Sequence, residues 1–361
     1  MKTRVHRFAT AAPDDVSPLR RALDEGGINA EKVIAILGKT EGNGCVNDFT
    51  RALSTLALTR LFSEVLGLSD EAVAERIALV MSGGTEGGLS PHILVFEVMD
   101  EPALSTSPGL AAGVAFTPAF LPEQIGRRAQ IDATAQAVRE AMARAGIERD
   151  EDVHFVQIKC PLLTSARCDE AARRGAAVAT TDTYESMAYS RGASALGVAL
   201  ALREIEPAQL RDAAVCHEFG LYSGRASTSA GIELMRNEIL VLGNAPGWDA
   251  EFRIGHDVMA DALDADAVTR ALARVPGDGA GELVALLAKA EPSRNGLIRG
   301  HRHIMWDDSD INATRHARAL VGGVLAGRTG HTALFVSGGA EHQGPDGGGP
   351  LAVITHALIS L

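Results

Sequence analysis

Several features that mark particular classes of protein are scarce in this sequence. Aromatic residues make up only 4% of its 361 residues, so small apolar side chains must fill most of the core, to which 46% of the chain can contribute. Basic residues are the minority charge, because 34 Lys and Arg against 46 Asp and Glu give a formal net charge of −12. Without a basic patch, we expect no nucleic-acid partner.

Membrane, secretion and disulfide signals are also missing. No run of about 18 apolar residues is present, so we expect neither a membrane-spanning helix nor a membrane partner. Lys2, Arg4 and Arg7 precede no apolar segment, which predicts no signal peptide and a cytoplasmic location. The cysteines lack Cys-x-x-Cys spacing, which favours reduced thiols over disulfides or structural zinc. They are Cys45, Cys160, Cys168 and Cys216.

A short motif, Ser-(Gly/Ala)-Gly-x-Glu, occurs three times, at Ser82, Ser229 and Ser337. The copies are separated by domain-sized stretches rather than by the short periods of a solenoid. Each serine follows an arginine that opens a helical stretch, and each arginine follows a lysine at the end of an apolar run. In chain order the sets are Lys39, Arg51, Ser82; Lys159, Arg191, Ser229; and Lys289, Arg315, Ser337.

The pattern around these sets predicts small α/β units. Short apolar runs at 33–37, 153–158, 77–81 and 332–336 indicate strands, and 51–66 and 191–203 indicate helices. The run before Lys289 is more helical in composition. We expect each serine on a turn between two strands.

Three similar α/β domains are therefore expected, spanning residues 1–103, 110–246 and 252–361, with joints near 101–109 and 244–249. Repetition of one unit three times suggests a pseudo-threefold arrangement with the three sets meeting in one central cavity. A ligand with threefold symmetry would suit such a cavity.

The repeated residues suit nucleophilic catalysis. Serine becomes a nucleophile when a base takes its proton, and lysine serves as that base when burial or nearby cations lower its pKa. Lys159 ends an apolar strand, where both conditions are expected. Arginine offers planar donors to carbonyl groups, and glycines beside the serines let backbone N–H groups approach an oxyanion.

Other chemistries fit the sequence less well. Gly38-Lys39-Thr40 ends like a P-loop, but Val33 stands where that motif needs glycine, so nucleotide binding is rejected. Cys160 as a nucleophile lacks a counterpart in the other repeats. The tight loop 347–350 either binds a hard cation through its carbonyls or is an ordinary turn.

A metal-dependent amidohydrolase is a further alternative to the Ser–Lys chemistry. It would use the polar stretch that contains His301, His303, Asp307, Asp308 and Asp310. The expected histidines on other strand ends are not evident, which favours a polar loop there.

Five segments closely resemble signature segments of the cyanuric acid hydrolase/barbiturase family: 38–48, 81–87, 159–164, 181–187 and 337–350. The resemblance runs from about residue 8 to the C-terminus. It implies three similar domains around a pseudo-threefold axis, with one active site at the centre. One departure is Ile-Met-Trp-Asp at 304–307, near Arg315, where the resemblance implies a Thr-Met-Leu-Ser-like stretch.

The resemblance also implies the chemistry and the residues that carry it. Lys159 would be the base and Ser229 the nucleophile, preferred over Ser227 because only Ser229 has a glutamate four residues later. Lys39 and Lys289 would support the flanking serines. The substrate contacts would be Arg51, Ser82, Gly83, Arg191, Ser229, Ala230, Arg315, Ser337 and Gly338.

The implied activity is hydrolytic opening of cyanuric acid to carboxybiuret, which gives biuret and CO2. Hydrolysis of barbituric acid is the alternative within the family, and a non-catalytic ligand-binding protein is the alternative outside it. No organic cofactor is implied, and a homotetramer is. A structural Mg or Ca ion would be bound by Glu291 and by the carbonyl groups of Ala340, Gln343, Gly344, Pro345 and Gly348.

Overall fold

The secondary structure comes from a computed structural model that describes residues 1–277, 281–306 and 310–357. The strands are β1 (Lys2–Ala9), β2 (Val33–Thr40), β3 (Ala78–Gly83), β4 (His92–Met99), β5 (Gly109–Phe116), β6 (Val153–Pro161), β7 (Ala226–Gly231), β8 (Glu238–Ala245), β9 (Phe252–Met259), β10 (Glu282–Ala290), β11 (Leu297–Ile298), β12 (His301–Arg302), β13 (Phe335–Gly338) and β14 (Gly349–His356). The α-helices are α1 (Ser17–Asp24), α2 (Phe49–Leu66), α3 (Asp70–Ala74), α4 (Arg128–Arg144), α5 (Ser165–Arg173), α6 (Thr183–Ala201), α7 (Asp266–Ala273) and α8 (Ala313–Thr329).

Three four-stranded sheets share one topology, and each is built from one continuous segment of the chain. Their strand orders are β1-β4-β2-β3, β5-β8-β6-β7 and β9-β14-β10-β13. Counted in chain order within each sheet, the fourth strand runs antiparallel to the first and second, while the third runs parallel to the second. We refer to the segments as N-terminal (2–99), middle (109–245) and C-terminal (252–356). The predicted repetition of an α/β unit is confirmed, whereas the exact domain limits stay a prediction.

The inner faces of the three sheets share one apolar core. Along β4, Leu94 and Phe96 point into a cluster that also contains Phe155 from β6 and Phe335 from β13. Alternate side chains such as Val95 point the other way. Because both faces are buried, these strands have near-continuous apolar sequences.

Helices cover the outer faces of the sheets. In the N-terminal segment, α1, α2 and α3 contribute Leu19, Phe62 and Val73 to the outer cluster. The middle segment uses α4 and α6, and the C-terminal segment uses α7 and α8. None of the helices in the described part of the chain is both long and apolar enough to cross a membrane.

Two sequence expectations need correction. The run before Lys289 is strand β10, although Ala and Leu favour helices, because it is buried on both sides: Leu287 faces the inner core and Leu286 the outer one. Tertiary packing overrides helix propensity here. The motif serines also lie within the last residues of strands rather than on turns, as Ser82 does in β3.

Candidate active site

Side-chain alternation carries the three lysines onto the inner faces. In β2, Lys39 follows Leu37 on the face that lines the shared core. The parallel pairing of second and third strands then sets each lysine beside the serine of its own segment. The register pairs are Lys39 with Ser82, Lys159 with Ser229, and Lys289 with Ser337. We call these the first, middle and third Lys–Ser pairs.

The serines of the three pairs line one small, partly open cavity. Its wall also contains the residue after each serine, three arginines and two further residues. The sequence-based site lacked three of these lining residues, namely Gly44, Met187 and Arg318. The lining residues are Gly44, Arg51, Ser82, Gly83, Met187, Arg191, Ser229, Ala230, Arg318, Ser337 and Gly338. A larger surface groove around Met142 and Arg203 contains none of the pairs.

The three hydroxyl groups meet inside this cavity. Ser229 Oγ lies 2.9 Å from Ser337 Oγ, and Ser82 Oγ donates to Ser337 Oγ at 3.3 Å. Groups from all three segments therefore face one small volume.

Each lysine of the pairs is at most 1% exposed, but their contacts differ. Lys39 Nζ donates to Ser82 Oγ at 3.3 Å, and Lys289 Nζ donates to Ser337 Oγ at 3.1 Å. Lys159 Nζ instead donates to the carbonyl of Met81 at 2.7 Å and lies 2.7 Å from Glu233 Oε1. The middle lysine thus donates to a carbonyl and lies in ion-pair contact with a carboxylate, whose Oε1 accepts no hydrogen bond among the described residues.

Burial lowers the pKa of all three lysines. The Lys39 pKa lies well below its usual value because of burial and then Arg318. Burial, followed by the charge of Arg191, lowers the Lys289 pKa to about 7. The Lys159 pKa is also lowered by burial, which the neighbouring Glu233 opposes. A lysine in such surroundings can become a neutral base near neutral pH.

The arginines link the segments in a closed ring. Arg51 of the N-terminal segment donates to the carbonyl of Ala230 in the middle one at 2.7 Å. Arg191 of the middle segment forms a two-point pair with Glu341 of the C-terminal one, at 2.8 and 2.7 Å. Arg318 of the C-terminal segment closes the ring, because it forms a two-point pair with Glu86 of the N-terminal one at 2.9 and 2.6 Å.

The third arginine of the cavity is Arg318 and not the predicted Arg315. Arg318 is 3% exposed, whereas the Arg315 side chain is 39% exposed and binds Glu86 with its Nε at 3.0 Å. The apolar stripe of α8 is a sequence signal that could have identified Arg318. Val321 and Leu325 lie on the buried face of this helix, and Arg318 lies one turn before Val321 on the same face. The motif order alone could not separate the two arginines.

A deeper layer distinguishes the middle segment from the other two. Beneath Lys159 and Ser229, the next inward pair is Gln157 and Ser227, both fully buried. The corresponding inner positions are Leu37 and Val80 in the N-terminal sheet. Gln157 Oε1 and Ser227 Oγ have no hydrogen-bond partner among the described residues. The register therefore pairs Lys159 with Ser229 and leaves Ser227 one layer below the cavity.

The predicted cation ligands lie beside the third pair. Glu291 follows β10, and its carboxylate accepts the Gly339 N–H at 2.8 Å and the Thr314 hydroxyl at 3.2 Å. Desolvation and the Glu341 carboxylate raise the pKa of Glu291. Gln343 ties the loop to β7, because its Oε1 accepts the Thr228 N–H at 2.8 Å.

Two of the predicted carbonyl ligands already accept turn hydrogen bonds. The Ala340 carbonyl accepts the Gln343 N–H and the Pro345 carbonyl accepts the Gly348 N–H, each at 3.0 Å. A carbonyl oxygen has a second lone pair, so these bonds leave room for a cation. Gly344 donates its N–H to the Ser223 carbonyl.

His301 and His303, the described histidines of the polar stretch, are not among the residues that line the cavity. His301 lies in the short strand β12, and His303 Nε2 contacts Ser293 Oγ at 3.0 Å. Within residues 1–277, 281–306 and 310–357, no three His, Cys, Asp or Glu side chains cluster as a metal site. Asp307 and Asp308, which that alternative also used, lie outside the described residues.

The family model described as "Amidohydrolase ring-opening protein" matches residues 4–356. The chain therefore belongs to this family of ring-opening amidohydrolases. The match confirms the resemblance drawn from the sequence motifs and the expected class of enzyme, a hydrolase of C–N bonds in cyclic amides.

Individual relatives are similar over essentially their whole length. The cyanuric acid amidohydrolase of Ectopseudomonas oleovorans is 66% identical, with 99% of this chain and 100% of that protein covered. The one from Azorhizobium caulinodans is 57% identical, with 97% of each covered. A crystal structure of the A. caulinodans cyanuric acid hydrolase superposes with a TM-score of 0.92 at 55% identity, covering 99% of each chain. A second solved cyanuric acid hydrolase gives a TM-score of 0.94 at 49% identity, again over 99% of each chain.

Two glycines allow a matched test of how closely the arginines approach the motifs. A Cβ at Gly339 would lie 2.4 Å from Arg191 Nε, whereas nothing lies within 4 Å of a Cβ at Gly330; both have a left-handed φ, +79° and +74°. We expect Gly339→Ala and Gly330→Ala each to lose stability of order 1 kcal/mol from backbone strain. Only Gly339→Ala should also lose most ring-opening activity, because it displaces Arg191. Thermal melts measure the stability of each variant, and turnover assays measure its activity. Equal losses of activity in the two variants would contradict this prediction.

Proposed function

We propose that this chain is a cyanuric acid amidohydrolase, which opens the s-triazine ring by hydrolysing one cyclic amide bond. The observation that carries the proposal is the threefold set of donors around one cavity: an arginine and a Lys–Ser pair from each segment. Cyanuric acid repeats its carbonyl and N–H pattern three times, so it can present the same edge to each set. The names of the relatives support the same substrate.

The proposed centre of the reaction is the middle pair. Neutral Lys159 takes the proton of Ser229, and Ser229 Oγ attacks a ring carbonyl whose oxygen is held by backbone N–H groups. The C–N bond breaks to give an acyl-enzyme, and water releases carboxybiuret, which loses CO2 to give biuret. No organic cofactor takes part.

Two observations favour the middle pair over the others. Ser229, at 6% exposure, is the most accessible of the three serines. Lys159 is the lysine of the pairs that contacts a carboxylate, at 2.7 Å, and it lies above a polar rather than an apolar layer. Turnover requires Lys159 Nζ to turn from the Met81 carbonyl towards Ser229, its neighbour in the parallel register.

Removal of either partner should abolish turnover. We expect Lys159→Ala and Ser229→Ala each to lose nearly all activity, and the double variant to be little worse, because base and nucleophile act as a unit. Ser227→Ala is the matched control and should keep activity within a few-fold, since Ser227 lies one layer deeper. Wild-type turnover by Ser229→Ala in a steady-state assay would remove Ser229 as the nucleophile.

Replacement of each arginine by lysine should distinguish arginines in the cavity wall from an arginine outside it. Arg51→Lys, Arg191→Lys and Arg318→Lys lose planar two-point donors, so each should weaken substrate binding by about 1–3 kcal/mol. Arg315→Lys is the control, because its side chain stands outside the cavity wall. Titration calorimetry with a non-hydrolysed ring analogue measures the effect. A loss at Arg315 as large as that at Arg318 would show that the wrong arginine had been assigned.

Barbituric acid is the rival substrate. Its ring has a methylene carbon where cyanuric acid has an N–H, so a site that bonds every edge should reject it. We expect a higher kcat/KM for cyanuric acid in side-by-side turnover. In the same calorimeter, steady heat from cyanuric acid indicates an enzyme, and a single saturable event indicates a non-catalytic binding protein. A higher kcat/KM for barbituric acid would overturn the substrate but not the Ser–Lys chemistry.

We also propose a structural divalent cation held by Glu291 and by carbonyls of Ala340, Gln343, Gly344, Pro345 and Gly348. One carboxylate with several carbonyl oxygens is a donor set for Mg or Ca. The cation would neutralise Glu291 beside Glu341, the partner of Arg191. Extensive dialysis against a chelator should therefore lower the Tm, and Glu291→Gln should be insensitive to it. Dialysed protein that contains no divalent metal and keeps its Tm would argue for an ordinary turn.

A cytoplasmic homotetramer is proposed from the family resemblance. The outer face of α2 offers apolar surface for subunit contacts, because Phe49, Leu53 and Leu56 are 78%, 43% and 51% exposed. These residues recur at helical spacing, so they form one stripe.

A further inference from the structure

The three motif glutamates make different contacts although they occupy equivalent places in the sequence. Glu86 pairs with Arg318, and Glu341 pairs with Arg191, in each case an arginine from another segment. Glu233 instead lies 2.7 Å from Lys159, the lysine of its own segment. The ring of Arg–Glu pairs is therefore broken in the middle segment.

The arginine that would complete the ring is close but bound elsewhere. Arg51 donates to the carbonyls of Ala230 and Cys45, and its Nε is buried without a hydrogen-bond partner among the described residues. Its charge still acts on Glu233, since Arg51 and Lys159 together lower the Glu233 pKa against the effect of burial. Glu233 thus takes a lysine where its counterparts take an arginine.

We propose that Glu233 is a positioning residue of the reaction, which holds Lys159 and accepts its proton so that the middle lysine becomes the neutral base. This inference rests on the proposed function, in which Lys159 activates Ser229. The other two lysines cannot pass a proton in this way. Their hydrogen-bond acceptors within the described part of the chain are serine hydroxyls and backbone carbonyls.

The proton movements balance. An N–H bond of the Lys159 ammonium breaks and an O–H bond forms on Glu233 Oε1, which turns an ion pair into two neutral groups. Lys159 then takes the Ser229 proton as the Oγ–C bond forms, and gives that proton to the ring nitrogen as the C–N bond breaks. In deacylation Lys159 takes a proton from water and returns it to Ser229 Oγ. Proton return from Glu233 to Lys159 restores the ion pair.

Burial reduces the free-energy cost of forming this neutral pair. Lys159 is 1% exposed and the Glu233 side chain 14% exposed, so separated charges lose most of their hydration. The charged and titratable groups that face the pair are Arg51, Arg167, Cys160 and Glu238. Burial raises the pKa of Cys160, so it stays a neutral thiol, and burial raises the Glu238 pKa to about 7.

The test is the pH profile of Glu233→Gln, with Glu86→Gln as the matched control. With Glu233 present, the proton passes from Lys159 to the carboxylate, so kcat/KM falls only when acid protonates Glu233, whose pKa Lys159 and Arg51 lower against the effect of burial. In Glu233→Gln the lysine must lose its proton to solvent, so the acidic limb should move to higher pH, towards the pKa of Lys159, with kcat reduced at least ten-fold and KM little changed. Glu86→Gln frees Arg318, so it should raise KM and leave the acidic limb in place.

The outcomes separate this inference from the proposed function. Glu233→Asp keeps the carboxylate and should restore the position of the limb, which also serves if the Gln variant folds poorly. An unchanged limb and kcat in Glu233→Gln, with Ser229→Ala inactive, would overturn the role of Glu233 alone. Activity retained by Ser229→Ala would instead overturn the assigned nucleophile.

Discussion

Burial of three lysines at one end of a shared apolar core is the constraint on which the site depends. Strand alternation on sheets buried on both faces leaves the ammonium groups no route to solvent, and each is at most 1% exposed. Desolvating three cations is costly unless carbonyls, hydroxyls or carboxylates surround them. The neighbouring strand ends supply those groups, because the parallel register sets a serine beside every lysine.

The arginines add further positive charge around the buried lysines. Three guanidinium groups around three lysines would repel one another, and the motif glutamates offset that charge at Arg191 and Arg318. Because each arginine reaches into the next segment, these contacts also join the segments at the cavity. The packing of the core and the geometry of the site are therefore coupled, and a change in either disturbs the other.

Sequence patterns predicted the order of lysine, arginine and serine because repetition is visible without a structure. They also predicted the strands that end at Lys39 and Lys159 from apolar runs. They failed before Lys289, where alanine and leucine suit a helix and only burial on both sides makes a strand. They could not choose between Arg315 and Arg318, because that choice needs the direction in which α8 faces the core. The contact of Glu233 with Lys159 could not be predicted from the sequence, because it depends on which groups Arg51 binds.

The repeats differ most where chemistry needs them to differ. In the proposed reaction, three identical sets would bind a threefold ligand equally well at every edge, yet hydrolysis would begin at one carbonyl. In the middle segment, polar Gln157 and Ser227 replace apolar neighbours under the pair, and a carboxylate replaces hydroxyl and carbonyl acceptors around the lysine. Buried groups without partners, such as Gln157 Oε1 and Ser227 Oγ, cost stability. In the layer directly beneath the Lys–Ser pairs, this cost falls in the middle segment, which agrees with the proposed site of one reactive edge and two binding edges.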